Sequence, residues 1–287
     1  MVSFAAQLRQ ELSQRNSAYA KARDLPHESS YGELPVTVYE PYSDGKRHGN
    51  FFAASYRAIL KQVQWKKRLE KAHTQSARSL PRTDRSWKEL DSCMSSDALL
   101  MNIFCHPRTL KSSGVNSILG SESTVSPKFG FPARVPLGNG RTDRTEVDMK
   151  LGELLIESKL TEADFQTQTA EIVESYRDLK AVFEYHRLPR AGGRFVSYQL
   201  IRNVLAAHAL KLSFCVLLDA RRPDLIEGWY LIMSCVKISE LRTRCKVLTW
   251  QELSEALTLD VQTFLNVKYG IVAHGHISYS LAETDAE

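Results

Sequence analysis

A chain of 287 residues with 43% hydrophobic and 25% charged residues has ordinary globular usage, which excludes a natively unfolded or fibrous polymer. Its longest nearly apolar stretches, LSFCVLLDA and GWYLIMSCV, fall short of the roughly 18 to 20 residues a helix needs to cross a bilayer, so no membrane span is expected. The formal net charge of +5 is modest but unevenly spread: residues 46–88 carry twelve Lys and Arg against Glu70 and Asp84, which suits either a polyanion or a solvated basic face.

The opening MVSFAAQLRQELSQR has neither the basic first region nor the apolar run of a secretory signal, so a cytoplasmic setting is expected. Residues 3–23 read as a helix. The stretch 24–50, rich in Pro, Gly, Tyr and Ser, reads as loop with one short strand at LPVTVYE. Residues 51–73 read as one longer helix, with Phe52, Tyr56, Ile59, Leu60 and Val63 at helical spacing. Its other face is basic, and Arg57, Lys61, Lys66, Lys67 and Arg68 are the residues expected to grip a phosphate backbone.

Ser86 and Glu89 form a capping-box pattern that opens a short helix, and Ser95 or Ser96 caps a second, DALLMNIF, which His106 and Pro107 end. This divides the chain into a helical, basic region at 1–85, a core at 86–272 and a polar, acidic tail at 273–287. From Arg108 to Arg144 the chain is punctuated by Gly, Pro and Ser, a long loop that is functional or mobile or hides short strands, and the loop 106–144 is expected to grip a phosphate backbone together with the basic helix. TEVDMKL and LLIESKL then read as two strands of a hairpin closed at Gly152.

AEIVESYRDLKAVFEYH carries one apolar stripe, Ile172, Val173, Tyr176, Leu179 and Phe183, and reads as a single helix. After Gly192-Gly193 comes the helix SYQLIRNVLAAHAL, with Gln199, Arg202 and Asn203 on one polar face. LSFCVLLDA and GWYLIMSCV read as buried strands, and CKVLTWQELSEAL as strand then helix, opened by a second capping box at Thr249 and Glu252. Cys93, Cys105, Cys215, Cys235 and Cys245 lack zinc or disulfide spacing and are expected to sit buried as small apolar groups.

The chemistry concentrates on the hairpin. A strand period of 2 puts Glu146 and Asp148 on one face of TEVDMKL, and Glu157 and Lys159 on one face of LLIESKL, so these pairs can converge. Two carboxylates held this way chelate a hard cation such as Mg²⁺, with the Ser158 carbonyl as a third protein ligand and Mn²⁺ able to substitute. Lys159 beside such an ion could orient or deprotonate the attacking water, or stabilise charge on phosphorus. The same three residues could equally form cross-strand ion pairs on a solvated hairpin.

The neighbours also have two readings each. Glu146 is an auxiliary acid or an exposed strand residue. Glu162 meets a metal through water or begins the next helix. Glu89 is an extra acid or only a cap, while Gln199, Arg202 and Asn203 touch a phosphate or the metal's surroundings, or form a solvated face. His106 and His208 have no partner in sequence and receive no role. No Gly-rich phosphate loop, nucleophile elbow or HExxH is present.

Asp148 followed by Glu157-Ser158-Lys159 resembles the PD-(D/E)XK nuclease superfamily, and SSDALLMNIF, ESKLTE and YQLIRN are similar to one of its branches, together covering roughly 95 to 260. The resemblance implies an α/β, restriction-endonuclease-like αβββαβ core with a central mixed sheet flanked by helices. It further implies Asp148 and Glu157 as metal ligands, Lys159 as the catalytic lysine, and DNA as the substrate. Hydrolysis by metal-activated water would leave a 5′ phosphate, in restriction, repair or defence, and double-strand cutting would call for a homodimer or two successive nicks. Val147 stands where a Pro often precedes the first acid, Ser158 where an apolar residue is usual, and Tyr198–Asn203 in place of a Gln-x-x-x-Tyr motif. An inactive nucleic-acid-binding or partner-binding module on the same fold is the alternative. An RNA-directed enzyme or a scaffold for acidic proteins stands behind it.

Overall fold

Alternating apolar residues in the chain's middle build a five-stranded mixed sheet: β1 (Lys128–Pro132), β2 (Glu146–Leu151), β3 (Leu154–Ser158), β4 (Ser213–Leu218) and β5 (Cys245–Thr249). The computed structural model describes residues 2–30, 35–72, 88–121 and 125–273. The strands lie in the order β5-β4-β3-β2-β1, antiparallel between β1, β2 and β3 and parallel between β3, β4 and β5. The β2–β3 hairpin closes from Leu151 opposite Leu154 through Gly152, whose φ of +54° is the left-handed region that favours glycine.

Eight helices position the site: α1 (Phe4–Ala22), α2 (Ala53–Lys61), α3 (Val63–Arg68), α4 (Ser96–Phe104), α5 (Tyr198–Leu210), α6 (Pro223–Met233), α7 (Trp250–Glu255) and α8 (Leu259–Tyr269). The succession α4-β1-β2-β3-α5-β4 is the expected αβββαβ order. Leu155, Phe214, Val216 and Leu218 face a core shared with α5 and α6. Leu154, Ile156, Cys215 and Leu217 face a second core containing residues of α1, α4 and α8. α4 is buried along its whole length, as a helix apolar on nearly every side must be. Ser95 caps it, its Oγ accepting from the Ala98 N–H at 3.1 Å.

The N-terminal helix joins this architecture through Leu8 and Leu12 in the second core, and Asn16 donates to the Lys268 carbonyl of α8 at 3.1 Å. Lys268 is itself fully buried, its Nζ 3.7 Å from the centre of the Tyr39 ring. Cys93, Cys105, Cys215 and Cys235 are free and buried, and Cys245 is free and half-buried. No helix among the described residues is long and apolar enough to cross a membrane.

Several expectations are corrected. The stretch GWYLIMSCV is mostly helix, not strand: Pro223 opens α6, and Leu225, Trp229, Ile232 and Met233 are its buried face, at helical spacing. The expected helix at 51–73 breaks at Gln62, whose extended backbone turns α3 so that Trp65 packs on Phe129 and donates to the Pro127 carbonyl at 3.0 Å. Val63, expected on the apolar stripe, is consequently 83% exposed.

The expected helix at 170–186 is instead two short ones, Ala170–Glu174 and Leu179–Val182. The chain between them pairs elsewhere, the Ser175 carbonyl accepting from Gly138 and the Arg177 N–H donating to Pro136. The long loop holds β1, a helix at Ser113–Leu119 and a small ladder of Val135–Pro136 with Thr142–Asp143. Glu89 begins a single 3₁₀ turn, Glu89–Asp91, rather than a capped helix. Ser86, Arg78, Arg82 and Arg85, and the tail beyond residue 273, lie outside the described residues.

Candidate active site

Regular pairing of β2 with β3 ends at Met149 opposite Ile156, and one residue further the Asp148 side chain takes over from the ladder. Its Oδ2 accepts from the Ser158 backbone N–H at 2.7 Å and the Ser158 hydroxyl at 2.9 Å. Glu157, next along β3, accepts from Lys159 Nζ at 2.9 Å on Oε1 and from Asn203 Nδ2 at 2.9 Å on Oε2. Lys159 is fixed at both ends of its backbone: its N–H donates to Leu217 of β4 at 2.8 Å, and its carbonyl accepts from the Trp250 indole at 2.9 Å. Asp148, Glu157, Ser158 and Lys159 are thus brought together by one bend of the chain. Glu157 and Lys159 are 1% and 4% exposed, while Asp148 is half-buried.

Burial pushes the Asp148 carboxyl up to about 8, the negative charges of Glu157 and Asp97 add to this, and Lys159 offsets only part of it. For Lys159, burial pulls toward the neutral amine, but Glu157, Glu162 and Asp148 together hold the ammonium above its ordinary range. The free protein therefore contains a carboxyl that keeps its proton near neutrality beside a lysine that keeps its charge. A protonated amine cannot act as a base, which leaves Lys159 as a donor and a positive field.

Around this centre lie further charges. Asp97, in the first turn of α4, is 6% exposed and accepts on Oδ2 from Arg68 at 3.0 Å and Lys71 at 2.6 Å. Arg68 also donates to Glu146 at 2.8 Å, whose side chain is 52% exposed. Glu162 accepts from the Ser96 hydroxyl at 2.6 Å and its own loop's Leu160 N–H at 2.7 Å, tying β3's exit to the start of α4.

On α5 the polar face faces inward. Arg202 donates through Nε and a terminal nitrogen to Asn203 Oδ1 and to the Glu146 carbonyl, and both residues are buried. Of the two readings weighed for this face, the contacts of Arg202 and Asn203 favour a place beside the acid pair over a solvated face, since Asn203 donates to Glu157. Gln199 is half-buried, its Oε1 buried without a hydrogen bond among the described residues.

Arg57, Lys61, Lys66 and Lys67 are exposed and make no ion pair among the described residues, whereas Arg68 is paired as above. Sequence reasoning missed Asp97 and Lys71. An acid two residues after a Ser cap reads as a helix-dipole partner, which hid Asp97, and Lys71 lies beyond the end of α3. Glu89, the extra acid weighed from sequence, instead acts on Lys71 through its charge, and its N–H donates to the Lys71 carbonyl at 2.8 Å.

Among the described residues no group of three or more His, Cys, Asp and Glu could hold a metal ion. The two-carboxylate set nevertheless fits Mg²⁺, which keeps several waters and needs few protein ligands. Asp148 Oδ1 has no hydrogen bond among the described residues, which leaves that oxygen free to meet a cation. A family model described as "Restriction Endonuclease associating with ARP" matches residues 7–270. No curated protein and no solved structure matches the chain.

Proposed function

The chain belongs to the family described as Restriction Endonuclease associating with ARP, and from that membership and its carboxylate pair we propose that it is a Mg²⁺-dependent deoxyribonuclease, with Mn²⁺ able to substitute. The observation that carries the reading is the convergence of Asp148, Glu157 and Lys159 at the mouth of one hairpin. Asp148, Glu157 and the Ser158 carbonyl would hold the ion. Bound there, it would supply a water acidic enough to attack phosphorus and would neutralise charge on the phosphate.

The chain's own residues do the rest. Ser158 and Asn203 fix the two carboxylates in place, and Lys159 as an ammonium donates to a phosphate oxygen as negative charge builds on it. Arg202 orients Asn203 rather than meeting phosphate. Arg57, Lys61, Lys66 and Lys67 meet the backbone of DNA and give affinity without sequence readout. A cytoplasmic setting in restriction, repair or defence follows by analogy, as does a homodimer for double-strand cutting. The family description adds ARP as a partner class.

A second reading, a binding module without cleavage, is favoured by one observation: Lys159 and Asn203 already occupy both oxygens of Glu157. Supercoiled plasmid and single-stranded DNA, incubated with Mg²⁺, Mn²⁺ or EDTA, separate the two. Cleavage is expected with either metal and not with EDTA, and to fall at least about a hundredfold in Asp148→Ala and in Lys159→Ala. Activity surviving in both variants contradicts the site, and binding without cleavage under every metal favours the second reading.

A further inference from the structure

We infer that Arg68 and Lys71 are exchangeable counter-ions of the acid cluster, handed over to substrate phosphate when a divalent cation binds at Asp148 and Glu157. This rests on the metal-dependent reading above and names the regulation of that same site.

Three observations carry it. Two cations converge on a single oxygen, Asp97 Oδ2, at 3.0 and 2.6 Å, and Arg68 reaches a second carboxylate, Glu146, at 2.8 Å. Four neighbours of the same basic segment, Arg57, Lys61, Lys66 and Lys67, meanwhile face solvent unpaired among the described residues. Pairing at Asp97 is therefore a matter of position and not of general charge.

Arg68 has a shaped seat. Gly130 of β1, at φ +60°, presents no side chain, and a Cβ built there would lie 2.2 Å from a guanidinium nitrogen of Arg68 and 2.7 Å from Glu146 Oε2. Trp65 pins α3 above this notch through its bond to Pro127. The guanidinium thus bridges Asp97 and Glu146.

Asp97 follows Ser96, whose hydroxyl donates to Glu162 just past Lys159, and Glu146 shares a face of β2 with Asp148, so the Arg68 bridge ends beside the carboxylate pair. A dication held by Asp148 and Glu157 attracts Asp97 and repels Arg68 and Lys71, so the pairs that are favourable in the free protein weaken when the metal arrives. The freed cations then stand beside the metal, where a phosphate must come. Metal and phosphate binding become mutually reinforcing, and that coupling is reciprocal.

Two measurements test this without turnover: Mn²⁺ binding alone by titration calorimetry, and binding of a short DNA duplex in Ca²⁺ against EDTA. Wild type is expected to bind the duplex at least about fivefold more tightly with Ca²⁺. Arg68→Met and Lys71→Met should bind Mn²⁺ more tightly than wild type, about threefold or more, and lose most of the Ca²⁺ gain, while Arg68→Lys retains part of it. Circular dichroism of each variant reports folding, and Lys71→Met, at a half-buried position, keeps the test alive should Arg68→Met misfold. Unchanged Mn²⁺ affinity and an unchanged Ca²⁺ gain in folded variants overturn the exchange while leaving the metal site standing. Mn²⁺ binding that is absent from wild type, or identical in Asp148→Ala, overturns the metal reading itself and the exchange with it.

Discussion

A carboxyl that keeps its proton up to about pH 8 competes with any metal for the same oxygens. Below that value Mn²⁺ must displace one proton from Asp148, so its apparent affinity is expected to weaken by about tenfold per pH unit and to level off above it. Titration calorimetry between pH 6 and 9 checks this, and a flat profile contradicts it. The same shift acts on stability. The folded-state value lies above the ordinary 3.8, so the folded protein keeps a proton that the unfolded chain has lost, and stability falls progressively as pH rises from about 4 and levels off above about 8. Asp148→Asn is therefore expected to stabilise the metal-free protein, with a gain that grows from pH 5 to 8 and reaches at least about 1 kcal/mol. Denaturant melts at those pH values read it out. Asp148, Glu157 and Lys159 were legible because strand alternation and the Glu-x-Lys spacing act locally. Asp97 was not, because nothing near it in sequence reveals that α4 begins at the exit of β3, where Ser96 donates to Glu162.

Among the elements, the short helix α3 shows how one side chain can redirect a segment. A continuous helix would have kept Val63 on the apolar stripe and sent Trp65 elsewhere, whereas the break at Gln62 exposes Val63 and seats Trp65 on Phe129. Trp65→Phe keeps most of the ring packing but removes the bond to Pro127, and is expected to cost about 1 kcal/mol. Amide exchange of residues 63–71 should rise with it, and unchanged exchange there would mean that Trp65 does not anchor the segment. Elements set by local signals, such as α4 behind its Ser95 cap and α7 with its Thr249–Glu252 capping box, were readable in advance. The division of 170–186 was not, since Gly138 and Pro136 interrupt that helix from more than 30 residues away in the chain. α6 was misread because a short apolar run looks alike in strand and helix, although Pro223 was available as a signal.

Taken as a whole, the molecule sets its carboxylate pair at the sheet's centre, with the solvent-facing cations of α2 and α3 carried on the neighbouring helical segment. If those cations meet DNA, affinity must fall with salt, and replacing Arg57, Lys61, Lys66 and Lys67 by Gln should reduce the salt slope by about 0.9 for each phosphate that is no longer neutralised. An unaltered slope would assign the DNA path to another surface. The asymmetry of charge was evident in the composition, but the pairing of Arg68 and Lys71 with Asp97 depends on tertiary structure that no linear pattern encodes. The most direct test of the metal centre is anomalous diffraction from crystals soaked in Mn²⁺. Density bridging Asp148 and Glu157 in wild type, absent in Asp148→Ala, is the expected result. A soaked wild-type crystal with no Mn²⁺ between those two carboxylates would contradict it.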